Sequence, residues 1–283
     1  MRGRPAALVS LRRFVEERFP LRVTVPMAVL VHAAPASLAR RPPPLDLAQG
    51  TLAMLLGLLC LRIADDLADL ERDRRIHPER GLPSGEIDPR RLRDAGLVLG
   101  GALLSIEASA PWRLVLVAGA CAFYRGWYGG WRDRVHAVAR PFLSNLVFPC
   151  AVLHAAGPSA CREAVPLAVY AWLVAVAHEI AHNVRSVEDD AASGPGYASA
   201  LGTRGTAVLG VALFAVAALA GVRLWQGLGC PCGFGLALAV SAVGLGPFLA
   251  RLLREPGPGS SRAIYRASIV FGLMPPLGLL LPR

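Results

Sequence analysis

The chain has 283 residues, of which 54% are hydrophobic and 18% charged, with a mean hydropathy of +0.46. That balance lies outside the range of soluble globular domains and indicates a membrane protein. Every one of the 30 basic residues is Arg, which excludes a lysine nucleophile or Schiff base, and the net charge of +10 is read as loop arginines facing anionic lipid and phosphate, with no nucleic-acid partner.

Residues 1–22 form an amphipathic N-terminal segment. Leu8, Leu11, Val15 and Phe19 fall on one side of a helix and Arg12, Arg13, Glu16 and Glu17 largely elsewhere, the pattern of a helix lying in the headgroup layer. Apolar runs long enough to cross a bilayer follow near 23–40, 48–66, 94–110, 112–128, 141–157, 164–184, 204–222, 233–252 and 264–281. The expected fold is therefore all-α: one polytopic domain over residues 1–283 with nine transmembrane helices. Gly and Pro within several spans are tolerated where neighbouring helices satisfy the backbone.

With the N-terminus in the cytoplasm, 23 arginines fall on the inner side and 6 on the outer, with Arg62 inside the second span. The positive-inside rule selects that orientation and supports an odd number of spans. The protein is thus expected in the cytoplasmic (inner) membrane, with inner loops at 67–93 and 186–203. The six cysteines, Cys60, Cys121, Cys150, Cys161, Cys230 and Cys232, show no metal-ligand spacing. Most are expected as small apolar residues inside helices, while Cys161, Cys230 and Cys232 would lie on the outer side, where a disulfide is open to them.

The second span runs into Arg62-Ile-Ala-Asp-Asp-Leu-Ala-Asp-Leu-Glu-Arg-Asp73. On a helix Asp65, Asp66, Asp69 and Asp73 share an arc of about 100°. Carboxylates that close raise one another's pKa and call for a cation between them. Oxygen donors without Cys suit Mg²⁺, and Arg62, Arg74, Arg75 and Arg80 add donors shaped for phosphate. The competing reading is a solvated juxtamembrane helix whose acids and arginines pair locally.

An internal repeat bears on that choice. Residues 63–73 align without a gap on Ile180-Ala-His-Asn-Val-Arg-Ser-Val-Glu-Asp-Asp190, after the sixth span. An offset of four helices returns the chain to the same membrane side, as in a parallel repeat. Glu179, His182, Asn183, Ser186 and Asp190 then share one arc. Two polar rims over an apolar cavity suit a ligand with an anionic head and a greasy tail, such as a prenyl diphosphate. Asn145, polar within the fifth span, either orients a substrate or bonds across helices. His178-Glu-Ile-Ala-His182 matches the H-E-x-x-H of zinc proteases, a separate reading in which Glu179 is the general base.

Asp65-Asp66-x-x-Asp69-x-x-x-Asp73 resembles the N-D-x-x-D-x-x-x-D signature of the UbiA superfamily of membrane prenyltransferases, and Arg80-Gly-Leu-Pro-Ser-Gly85 resembles the segment that follows it there. His182-Asn-Val-Arg-Ser-Val-Glu-Asp-Asp190 is similar to the family's second motif. The resemblance implies nine helices around a central cavity, arranged as two parallel four-helix repeats plus one, with Mg²⁺ bridging the acidic motifs to a prenyl diphosphate. It implies metal binding by Asp66, Asp69, Asp73 and Asp190, with Asp65, Glu179 and Asn183 as further candidates, and diphosphate contacts from Arg62, Arg74, Arg75 and Arg80, with Asn183 and Asn145 also toward substrate. The implied activity is transfer of the prenyl group to an aromatic, quinone-precursor-like acceptor. A terpene cyclase using the same ionisation is the alternative, followed by the zinc protease and a non-catalytic isoprenoid binder. The last is motivated by Ser186, where the family has Asp, and by the neutral Asn183.

Overall fold

The computed structural model describes residues 6–39, 42–184, 197–229 and 231–281, and among these there is no strand. The helices are α1 (Ala6–Arg18), α2 (Leu21–Ala39), α3 (Pro44–Ala68), α4 (Leu70–Ile76), α5 (Pro89–Glu107), α6 (Pro111–Gly126), α7 (Arg140–Ser144), α8 (Val147–Ala156), α9 (Cys161–Asn183), α10 (Tyr197–Gly227), α11 (Cys232–Arg254) and α12 (Pro258–Gly278). Proline opens α3, α5, α6 and α12, where its fixed φ suits the first helical turn and its missing N–H is not required. Asp88 caps α5 by accepting from the Arg90 amide at 2.9 Å. Gly157 ends α8 at φ 74°, a left-handed value that a side chain would resist.

Among the described residues the nine apolar runs fall mainly on helix, but six helical stretches there are long and apolar enough to cross a membrane: Leu21–Leu38, Pro44–Ala68, Ala137–Ala156, Pro158–Asn183, Tyr197–Gly227 and Cys232–Arg254. The other three depart from the expected pattern for local reasons. The first two turns of α5 carry Arg90, Arg91, Arg93 and Asp94, α6 has 16 residues, and α12 carries Arg262 and Arg266 with adjacent prolines at 275 and 276.

Two compact units form, residues 1–29 with 43–132 and residues 30–42 with 133–283. In the first, α3 and α1 pack on α5 through Phe14, Ile63, Leu82, Ile87 and Leu92, all buried. In the second, α9 is central and packs on α8, α10 and α12, burying Leu167, Tyr170, Val176, Ile180 and Ala181. With lipid outside, packing depends on close backbone approach, and the glycines show where. A Cβ on Gly210 of α10 would sit 3.4 Å from Ala181 of α9, and one on Gly233 of α11 would sit 2.6 Å from the Gly278 carbonyl of α12. Tyr170 donates its hydroxyl to the Phe271 carbonyl at 2.8 Å, satisfying a phenol with no exposure. Cys161 and Cys232 are free thiols, and Cys230 lies outside the described residues.

Candidate active site

The acidic motif lies at the end of α3 and in α4. Asp65 and Asp66 occupy the last turn of α3, Asp69 is the junction residue at φ −92°, ψ 7°, and Asp73 is in α4. Helical hydrogen bonding continues across the junction, from the Asp69 amide to the Asp65 carbonyl (2.9 Å) and from the Asp73 amide to the Asp69 carbonyl (2.8 Å). The four acids therefore keep near-helical spacing.

Each meets an arginine. Asp66, only 5% exposed, receives Arg18 on both oxygens, Nε to Oδ2 at 2.8 Å and Nη2 to Oδ1 at 3.1 Å, and forms an ion pair with Arg62, whose Nη2 lies 3.0 Å from Oδ1. Arg132 Nη2 donates to Asp69 Oδ1 at 2.6 Å, and Arg80 Nη1 to Asp73 Oδ2 at 2.9 Å. Arg62 Nη1 lies 3.7 Å from Asp65 Oδ2. The fork of a guanidinium matches a carboxylate's two oxygens, so the Arg18 pair is the strongest of these. Asp66 and Asp73 both line a niche with Arg18, Arg80, Glu17 and Phe14, whose free volume of about 10 Å³ is that of one water.

Arg18 arrives on α1, which Phe14 anchors in the core and Glu17 fixes by accepting the Gly81 amide at 3.0 Å. Arg132 follows a π-helical turn, Trp127–Trp131, that is broken by a kink at Gly130 (φ 112°). The same turn stacks Tyr128 on Tyr124 at 6.0 Å and places Tyr128 within electrostatic reach of Asp65 and Asp69. Sequence reasoning missed Arg18 and Arg132, whose separations from the motif, 48 and 63 residues, leave no periodic trace. Arg74 and Arg75 were expected at the site, but both are exposed and Arg74 pairs with Glu71.

The second unit holds the counterpart stretch only as far as Val184. Asp190, Ser186, Glu188 and Asp189 lie outside the described residues. Glu179 is gripped by neutral donors: the Tyr197 hydroxyl on Oε1 at 2.5 Å, and Asn145 Nδ2 and Ser144 Oγ on Oε2 at 2.5 and 3.0 Å. Asn183 Nδ2 donates to the Glu179 carbonyl at 2.8 Å and to the Tyr197 hydroxyl at 3.2 Å. Asn145 is the link between α7 and α8, so this network ties the break in the fifth span to α9 and α10.

The zinc reading meets a different arrangement. The His178 and His182 rings stack 6.3 Å apart with Tyr265 at 4.7 and 5.0 Å from them, and His178 Nδ1 bonds Ser268 Oγ at 2.7 Å. Among the described residues no three His, Cys, Asp or Glu side chains gather closely enough to hold a metal. The motif aspartates are each paired with a guanidinium. Their chemistry, hard oxygens alone on one helical stretch, fits Mg²⁺ and not Zn²⁺.

Comparison with known proteins settles the family. Residues 25–272 match the model of the UbiA prenyltransferase family. The chain belongs to that family. No curated protein sequence matches it. The UbiA fold is matched by the solved structure of a UbiA homolog from Aeropyrum pernix K1 at 17% identity and a TM-score of 0.75, covering 89% of this chain and 96% of the other. A structure from work on digeranylgeranylglyceryl phosphate synthase matches at 16% identity and a TM-score of 0.71, covering 97% and 98%. At such identities the likeness carries the fold, and UbiA membership rests on the sequence match.

Proposed function

We propose that this UbiA-family membrane prenyltransferase ionises a prenyl diphosphate with the help of Mg²⁺ and passes the prenyl group to an aromatic acceptor. The observation that carries the reading is the set of three motif aspartates, Asp66, Asp69 and Asp73, interleaved with Arg18, Arg80 and Arg132 at the end of a membrane helix. Asp66, Asp69 and Asp73, with Asp65 beside them, would hold Mg²⁺ from the first motif, and Asp190 with Asn183 from the second. Glu179 is the residual candidate of that second set. Bound there, Mg²⁺ supplies positive charge to the departing diphosphate.

The arginines do the rest of the electrostatic work. Arg18, Arg62, Arg80 and Arg132 donate to diphosphate oxygens as the allylic C–O bond breaks and its electron pair leaves with the diphosphate. Tyr124 and Tyr128 offer aromatic faces to the allylic cation. The acceptor ring then forms the C–C bond and releases a proton. The reading puts the site and the N-terminus on the cytoplasmic side of the inner membrane, the orientation that gathers 23 of the 30 arginines on the inner side.

The test is product analysis by mass spectrometry, using protein in detergent with Mg²⁺ and a panel of prenyl diphosphates, with and without aromatic acceptors. Prenylated acceptor is expected, with Asp69→Asn lowering turnover by about 10²–10³-fold, the usual scale for losing one electrostatic element. Hydrocarbon or terpene alcohol formed without acceptor would replace transfer by cyclisation. Full turnover in Asp69→Asn would remove the metal assignment.

A further inference from the structure

In the first unit four carboxylates, Asp65, Asp66, Asp69 and Asp73, face four guanidinium groups, Arg18, Arg62, Arg80 and Arg132. The four acids and four guanidinium groups balance one another, and Glu17 lines the same niche. Both Asp66 oxygens already face a guanidinium, Arg18 bonding each and Arg62 pairing with one, and the niche beside it admits about one water. The arginines come from four places in the chain, α1, α3, the loop after α4 and the residue after the π-helical turn, so no single local motion clears the acids.

We infer that metal and diphosphate bind this site as a coupled pair through an exchange of counter-ions, with Arg18 as the positioning residue that sets the coupling. This rests on the proposed function. A divalent cation entering alone has to strip guanidinium groups from half-buried carboxylates and leave them without an anion, which discards strong charge-assisted hydrogen bonds. With a diphosphate present, Arg18, Arg80 and Arg132 would turn from carboxylate to phosphate oxygens, leaving the carboxylates free to hold the metal. Every charge keeps a partner throughout. Linkage then requires that diphosphate raise metal affinity by the factor by which metal raises diphosphate affinity.

Equilibrium dialysis with radioactive Mn²⁺ on the full-length protein in detergent tests this without turnover, with inorganic pyrophosphate either absent or equal in both chambers. The wild type is expected to retain Mn²⁺ roughly tenfold or more tightly with pyrophosphate, inside the usual range of coupling. Arg18→Met keeps the aliphatic stem but frees Asp66. It is expected to bind Mn²⁺ alone several-fold more tightly than wild type and to show weaker coupling, and Arg80→Met at Asp73 should move the same way. Wild-type protein that holds Mn²⁺ alone as tightly as with pyrophosphate, or an Arg18→Met that binds Mn²⁺ alone no better, overturns the exchange and leaves the proposed function standing. Retention under neither condition overturns the metal site and the exchange together.

Discussion

Asp66 shows how little of a site a spacing rule conveys. Helical periodicity identified it, but its both-oxygen partner comes from α1, 48 residues earlier. The motif was legible because its members are neighbours on one helical stretch. Arg18 and Arg132 were not, because an ion pair closed by tertiary packing imposes no pattern on the chain. Arg74 and Arg75 were legible as arginines beside the acidic motif, and α4 leaves both exposed. At Asp69 the consequence is testable: Arg132→Met should lower kcat/KM for the prenyl diphosphate about tenfold or more in steady-state kinetics, the scale of one lost charge-assisted hydrogen bond. Away from the site, Tyr170→Phe leaves the Phe271 carbonyl without its donor inside the second unit. Its thermal unfolding in detergent should show a loss of about 1 kcal/mol.

At the scale of elements, apolar run length predicted every long helix but said nothing about how closely helices approach. The α11/α12 crossing is set by Gly233 and Gly278, where any Cβ would strike the facing backbone. Gly233→Val should therefore lower thermal stability by several degrees or block folding, whereas the same change at Gly244, with open space around it, should be nearly silent. The break between α7 and α8 was likewise hidden, since 137–156 reads as one apolar span. What marks it is Asn145, whose side chain bonds the Pro141 carbonyl at 2.7 Å and Glu179 at 2.5 Å, exchanging backbone continuity for a polar link to α9. The sequence offered Asn145 as either a substrate contact or an interhelical bond, and the described geometry is the second.

For the whole molecule, the all-helical class and the family were legible from composition, run lengths and one motif with its Pro-Ser-Gly tail. The number of helices apolar enough to span was not, because α5 and α12 mix arginines into membrane-length helices. The bias of arginines toward one side makes orientation a matter for direct measurement. Glu86→Cys, in the loop between α4 and α5, should react with a membrane-impermeant maleimide in inside-out vesicles and stay unlabelled in intact cells, with the native thiols replaced beforehand. Labelling from outside would reverse the orientation and, with it, the side from which diphosphate reaches the acids.

The segment Trp127–Trp131 kinks at Gly130, whose φ of 112° is a left-handed value that a side chain resists. Gly130→Val would drive that angle toward ordinary values and re-aim the residues just after it. Asp69 would then lose its guanidinium without any charged residue having been changed. One glycine thereby decides whether an arginine reaches an acid 63 residues away.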